Sequence, residues 1–235
     1  MARITCRTRW PPRPWRASFT LLTPAGSAPV SLRLHGAHNV PNALAAAALA
    51  GELGLGLGGI ADGLSAAVAR SRWRMEVHQR ADGVTVINDA YNANPESVRA
   101  AIDALAHLAR GGRGFAVLGH MAELGGTSRA SHQDVGEYAA RVPDSGLAGL
   151  IAVGEEAAPL LDGARRVRSW RGEALAVPDS AAALDLLANR LKPGDVVLVK
   201  ASRAAGLERV AEVLALGDAP AGLTQGDPCV RTPLG

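Results

Sequence analysis

Apolar and polar positions change their spacing twice along the chain. Between residues 17 and 34 they alternate in two short runs, Ser18-Phe19-Thr20-Leu21-Leu22 and Val30-Ser31-Leu32-Arg33-Leu34, joined by Thr23-Pro24-Ala25-Gly26-Ser27. Alternation puts successive side chains on opposite faces of a strand, and the Pro- and Gly-bearing connection predicts a hairpin. From Pro41 to Leu53 an alanine-rich pattern predicts a helix, with Asn39 or Val40 near its cap and Pro41 in its first turn. A glycine-rich loop, Gly54 to Gly59, leads to a second predicted helix at 60 to 69. Gly54, Gly56 and Gly59 spell G-x-G-x-x-G, but the dinucleotide fingerprint needs a strand before it, and here a helix precedes, so the segment reads as a loop. Residues 1 to 15 show no period and carry Pro11, Pro12 and Pro14, which predicts an irregular arm.

After a charged linker at 70 to 74 the pattern becomes strand-helix alternation. Strands are predicted at 84 to 88, 114 to 119, 149 to 153 and 196 to 200, with weaker ones near 166 to 170 and 174 to 177. Helices are predicted at 95 to 109, 128 to 141, 155 to 162, 180 to 191 and 204 to 215. Such alternation implies an α/β fold, a Rossmann-like and mostly parallel sheet with helices on both faces. The expected organisation is therefore an arm at 1 to 15, a smaller unit at 16 to 71, the α/β domain at 72 to 216 and a disordered tail at 217 to 235.

Composition narrows the function classes. With 48% hydrophobic but only 3% aromatic residues in 235, the core must be filled by Ala, Leu and Val. The net charge of +3 is small, and Arg3, Arg7, Arg9, Arg13 and Arg16 concentrate basic charge at the start. No recognition helix, zinc spacing or aromatic RNA-binding pattern follows them, so no nucleic-acid partner is expected. Cys6 and Cys229 form neither a disulfide framework nor a metal site, and a reducing, cytoplasmic setting fits. No stretch has the apolar length of a membrane span, and no membrane insertion is expected.

The candidate chemistry lies where the strand Val84-Thr85-Val86-Ile87-Asn88 runs into Asp89-Ala90-Tyr91-Asn92-Ala93-Asn94-Pro95 and then a helix. In open α/β sheets ligands sit outside the carboxyl ends of strands, which places Asp89, Tyr91, Asn92 and Asn94 where a substrate or nucleotide is met. A local alternative exists for single residues, since Asn94 before Pro95 has the makings of a helix cap. Capping needs one such residue, not four.

This run resembles the hallmark loop of the Mur ligases, and within them the type that adds D-alanyl-D-alanine to UDP-N-acetylmuramoyl-tripeptide. Four other stretches agree in order: Gly36-Ala37-His38-Asn39-Val40-Pro41-Asn42, Arg74-Met75-Glu76, Gly119-His120-Met121-Ala122-Glu123-Leu124-Gly125, and Lys200-Ala201-Ser202-Arg203. The resemblance implies an ATP- and magnesium-dependent peptide ligase acting through an acyl phosphate, as a monomer, with those two substrates as partners. It makes residues 16 to 71 the end of a central ATP-binding domain and 72 to 216 the amino-donor domain. By resemblance His38, Asn39 and Asn42 belong to the adenine side, Asp89 to the ribose, and Arg74 to the γ-phosphate as the catalytic cation. Tyr91, Asn92, Asn94, Lys200, Ser202 and Arg203 would face the dipeptide.

No G-x-x-x-x-G-K-[ST] occurs in the sequence, so the loop whose amides and lysine would hold the β- and γ-phosphates is not among these residues. In the family that loop and the magnesium ligands precede the position matching Gly36; no metal ligand is assigned here, and the chain alone is expected to be inactive. Two departures stand out. The family's Lys-Gly-Ser-Arg reads Lys200-Ala201-Ser202-Arg203, and its Gly-Asp-Met-x-Glu-Leu-Gly has His120 in place of the acid. His132, without a partner at metal spacing, is expected to be a surface helix histidine. Two other readings stay open: a non-catalytic Rossmann-like domain that binds a nucleotide edge or a dipeptide, and a folylpolyglutamate-synthase-like ligase, against which the Tyr-Asn-Ala-Asn-Pro loop argues.

Overall fold

The computed structural model describes residues 5–9, 16–35, 39–68, 71–142 and 146–217. The amino-terminal unit is an antiparallel sheet in the order β1 (Thr5–Arg9), β2 (Arg16–Thr23), β3 (Gly26–His35), followed by α1 (Asn39–Glu52) and α2 (Leu57–Ala66). The predicted hairpin is present, with Thr23 paired to Gly26 across Pro24 and Ala25. Ala17, Phe19 and Leu21 of β2 and Val30 and Leu32 of β3 are buried in one core with Val40, Ala43 and Ala47 of α1 and Ile60 and Ala61 of α2. The irregular arm expected at 1 to 15 is corrected by β1, which pairs with β2 from Thr5 opposite Leu22 to Arg9 opposite Ser18. The prolines that suggested irregularity stand after the strand, at 11, 12 and 14, and remove no N–H from its ladder.

The second unit is a six-stranded sheet: β4 (Glu76–Gln79), β5 (Thr85–Asn88), β6 (Gly114–Leu118), β7 (Leu147–Val153), β8 (Glu173–Val177) and β9 (Val196–Lys200), in the order β4-β5-β9-β6-β7-β8. The five strands other than β4 run parallel, and β4 is antiparallel to β5. Residues of α3 (Pro95–Leu108), α4 (Ser128–Arg141) and α5 (Pro159–Arg165) bury against Ile87, Leu118, Leu150 and Leu198 on one face. Those of α6 (Ser180–Ala188) and α7 (Glu208–Leu216) bury against Val86, Val117, Ile151 and Val197 on the other. The expected mostly parallel sheet covered on both faces is thus the fold, and its central strands β6 and β9, buried throughout, are the continuous apolar runs such a sheet demands.

Three local expectations shift. Residues 166 to 170 form no strand, whereas the neighbouring weak candidate is β8. The helix expected from 204 starts at Glu208, because Gly206, at φ 64°, breaks the turn before it. β4 was not foreseen. The tail expected at 217 to 235 lies outside the described residues apart from Gly217, the left-handed cap of α7. Helices α4 and α5 meet backbone to backbone: a Cβ on Gly136 would overlap the Leu160 carbonyl, and one on Gly163 the Gln133 carbonyl.

Candidate functional site

The site grows from the carboxyl ends of the neighbouring strands β5 and β9. Asp89 continues β5, its N–H donating to the Val199 carbonyl (2.9 Å), and Lys200 ends β9. The Lys200 side chain is only 3% exposed and that of Asp89 13%. A buried ammonium needs a full set of partners. Lys200 Nζ finds them in Asp89 Oδ2 (2.6 Å) and the Asn92 carbonyl (2.8 Å). The other carboxylate oxygen, Asp89 Oδ1, accepts from the Met75 N–H (3.0 Å). One ion pair therefore fastens the linker, the 89–94 loop and strand β9 to one another.

The loop is ordered by its own polar residues. Asn94 caps α3 in a reciprocal box, its Oδ1 accepting from Ser97 N–H (2.8 Å) while Ser97 Oγ accepts from Asn94 N–H (3.1 Å), and Pro95 fills the first helical position. The local reading of Asn94 is thus realised through its amide oxygen; its NH2 makes no hydrogen bond among the described residues. Asn92 Oδ1 accepts from Ala93 N–H (2.9 Å), and the Tyr91 N–H donates to the Trp73 carbonyl (3.0 Å). The Arg74 guanidinium stacks 4.1 Å from the centre of the Tyr91 ring. Trp73 and Met75, at φ 60° and 49°, hold a left-handed backbone that bulky residues rarely take.

A cavity of about 1100 Å³ lies between the two units. Asn39 and Asn42 of α1 line one side, and Arg74, Asp89, Tyr91, Asn92, Asn94 and Lys200 the other. The structure thus brings together most of the residues singled out from sequence. It leaves out Ser202 and Arg203, which do not line the cavity. Buried Ser202 donates its N–H to the His120 carbonyl (3.0 Å), and Arg203 lies 4.1 Å over the Trp73 ring. His38 falls outside the described residues. Sequence reasoning missed Arg33 of β3 and Glu76 and His78 of β4, all on the cavity wall. Asp82-Gly83, a hairpin dipeptide just before β5, was the available signal for β4.

His120, the departure from the family's acid, sits 3.2 Å from Glu156 and 3.4 Å from Ser202 Oγ. The expectation of a surface His132 is corrected: it is fully buried, Nε2 accepts from the Met121 N–H (2.9 Å), and Nδ1 lies 2.7 Å from the Ser128 carbonyl, to which it donates. Accepting at Nε2 requires the neutral imidazole, and burial holds its pKa below the ordinary histidine value against the opposing Ser128 hydrogen bond, with the nearby His120 adding to the lowering. Among the described residues no three His, Cys, Asp or Glu side chains converge as metal ligands, and no helix is long and apolar enough to cross a membrane.

Known proteins resemble this chain over most of its length. The family model "Mur ligase, glutamate ligase domain" matches residues 73–203, the stretch from the linker to the end of the Lys200-Ala201-Ser202-Arg203 motif. The chain is 44% identical over 218 residues to the UDP-N-acetylmuramoyl-tripeptide--D-alanyl-D-alanine ligase of Mycobacterium leprae, covering 86% of this chain and 42% of that protein. A crystal structure of MurF from Acinetobacter baumannii superposes with a TM-score of 0.77 at 34% identity, covering 90% of this chain and 44% of the other. MurF ligase from Thermotoga maritima, crystallised with ADP, gives a TM-score of 0.69 at 27% identity, covering 91% and 46%. The chain thus spans less than half the length of these relatives. With the matched region holding more than half of its residues and nearly all of the loop and linker contacts described above, the chain belongs to the Mur ligase family.

Proposed function

We propose that this chain is the amino-donor domain, with the adenine- and ribose-facing edge of the nucleotide site, of an ATP-dependent ligase that joins D-alanyl-D-alanine to UDP-N-acetylmuramoyl-tripeptide. The observation that carries the reading is the cavity onto which α1, the linker and the Asp89 loop converge, each bringing the type of group its ligand fragment needs. The amides of Asn39 and Asn42 can both donate to and accept from a base edge. Asp89, though held by Met75 and Lys200, keeps lone pairs for ribose hydroxyls. Arg74, fixed on Tyr91, offers a guanidinium to phosphate oxygens. Tyr91, Asn92 and the free NH2 of Asn94 face the dipeptide, and Lys200 acts through the loop it anchors rather than as an open cation.

ATP supplies the phosphoryl group that turns the tripeptide carboxylate into an acyl phosphate; the dipeptide amine then displaces phosphate. This chain's residues bind and orient. The sequence has no phosphate-cradling G-x-x-x-x-G-K-[ST], and its described residues hold no convergent donor set for magnesium, so no step is assigned to that ion here. Positioning and charge stabilisation supply nearly all of phosphoryl-transfer catalysis, and the chain by itself therefore turns nothing over.

Calorimetric titration of the purified chain with D-alanyl-D-alanine, L-alanyl-L-alanine and ADP tests the reading. Saturable binding of the D,D-dipeptide with a clear preference over the L,L-isomer, and of ADP, is expected. Equal affinity for both dipeptides, or none for either, refutes the amino-donor assignment.

A further inference from the structure

Arg74 lines the cavity and Arg203 does not, and Trp73, which precedes Arg74 and stacks with Arg203, links the two. Trp73 does not line the cavity, yet it touches the 89–94 loop, α7 and the turn that follows β9. Its carbonyl accepts the Tyr91 N–H at 3.0 Å, its indole Nε1–H donates to Glu212 Oε1 of α7 at 2.9 Å, and its ring carries the Arg203 guanidinium at 4.1 Å. Arg72 meets the same ring at 5.1 Å and the same Glu212 oxygen at 2.8 Å. The left-handed backbone at Trp73 and again at Met75 throws the intervening Arg74 onto Tyr91 and into the cavity wall. A bulky residue keeps such a backbone only where its surroundings over-determine it, and around Trp73 these contacts do so.

We propose that Trp73 is a positioning residue: clamped between Arg203 and Glu212, its indole fixes the linker turn that presents Arg74 to the phosphates of a bound nucleotide. This rests on the nucleotide reading given above, and it adds a division of labour within the Lys200-Ala201-Ser202-Arg203 motif. Lys200 holds the loop through Asp89, and Arg203 holds the linker through Trp73. Arg203 thereby acts on the nucleotide side of the site without lining the cavity.

The chain itself serves for the test. ATP and adenosine are titrated into the wild type, Trp73→Leu, Trp73→Phe, Arg203→Gln and the double variant Trp73→Leu/Arg203→Gln. ATP carries the γ-phosphate that Arg74 would meet; adenosine lacks every phosphate and so reports the base and ribose contacts alone. A stacked cation at an exposed site contributes about 0.5–1 kcal/mol, roughly a two- to fivefold effect. Trp73→Leu should therefore weaken ATP binding about two- to fivefold with adenosine affinity unchanged. Trp73→Phe, which keeps a ring for Arg203, should recover part of the loss, and the double variant should be no weaker than Trp73→Leu. In parallel, the Arg74 side-chain resonances, shielded by the Tyr91 ring, should move toward unstacked values in Trp73→Leu. Where Trp73→Leu does not fold, Arg203→Gln and Glu212→Gln release the two sides of the clamp and should each reduce the preference for ATP. An unchanged ATP-to-adenosine ratio together with unmoved Arg74 resonances overturns the proposal. Absence of ATP binding by the wild type overturns the nucleotide reading instead, and the Arg74 resonances alone then decide whether Trp73 sets the turn.

Discussion

Asn94 is asked to do two things at once, and the geometry shows how to separate them. Its amide oxygen closes the capping box with Ser97, while its NH2 end is the part available to a ligand. Asn94→Ala removes both. Loss of an N-cap costs about 1 kcal/mol, within a range of about 0.5–2. For a chain of this size about 1 kcal/mol moves the midpoint by roughly 2–4 °C, so Asn94→Ala should melt roughly 2–4 °C lower. Asn94→Ser keeps an oxygen at the cap, and serine caps about as well as asparagine, so its midpoint should stay within about 2 °C of the wild type. It has no NH2. If that group binds the dipeptide carboxylate, Asn94→Ser should lose about 1.5–3 kcal/mol of affinity, roughly 10- to 150-fold, with ADP binding nearly unchanged. Differential scanning fluorimetry and calorimetric titration of the two variants side by side read both quantities. Wild-type dipeptide affinity in a stable Asn94→Ser protein would refute the ligand role and leave Asn94 a helix cap. An Asn94→Ala midpoint equal to the wild type's would refute the stability argument.

Lys200→Met strands the Asp89 carboxylate in a largely dry setting and should cost about 3–5 kcal/mol in urea unfolding, with Asp89→Asn in the same chain losing clearly less than the sum of the single variants; additive losses would deny the coupling. Gly136→Ala should abolish folding or lower stability by more than about 3 kcal/mol, because the new methyl meets the Leu160 backbone and not a movable side chain; a native-like circular dichroism melt contradicts this. Because burial lowers the His132 pKa, the unfolded chain binds the extra proton once the pH drops below about 6.5, so this contribution to stability is complete above that value and is lost as the pH falls through the folded pKa. The midpoint of the wild type should accordingly fall more steeply between about pH 7.5 and 5.5 than that of His132→Gln, and parallel curves would exclude the assignment.

The sequence was most informative where periodicity and chemistry coincide. The apolar runs of β6 and β9 identify buried central strands, and the polar cluster after β5 marks the site because the sheet topology leaves it nowhere else to point. Asn39 and Asn42 could be assigned to it only through the resemblance, since nothing local to α1 says which helix face meets a cavity built by a loop some fifty residues later. Long-range pairing is where local reading stopped. Lys200 looked like an open cation at a strand end, and its burial depends on an acid more than a hundred residues earlier. His132 looked exposed because α4 is polar on average, although one side of that helix carries Val135, Gly136 and Ala139 into the core. β1 and β4 were missed because short strands at a sheet edge owe their form to a neighbour's backbone more than to their own side chains.

The sense of β4 also decides where the chain enters the six-stranded half of the fold. Running against β5, it sets Glu76 opposite Asn88 and Gln79 opposite Thr85, so the linker arrives beside the residue that precedes Asp89. Had the same four residues run the other way, the linker would join at the far rim of the sheet, about 13 Å away at roughly 3.3 Å per residue. Arg74 would then have no route to Tyr91, and Met75 none to Asp89. Strand polarity at one edge of the sheet is in this sense an address: it delivers the linker to the rim where β5 and β9 end, and a turn as short as 80–83 is enough to write it.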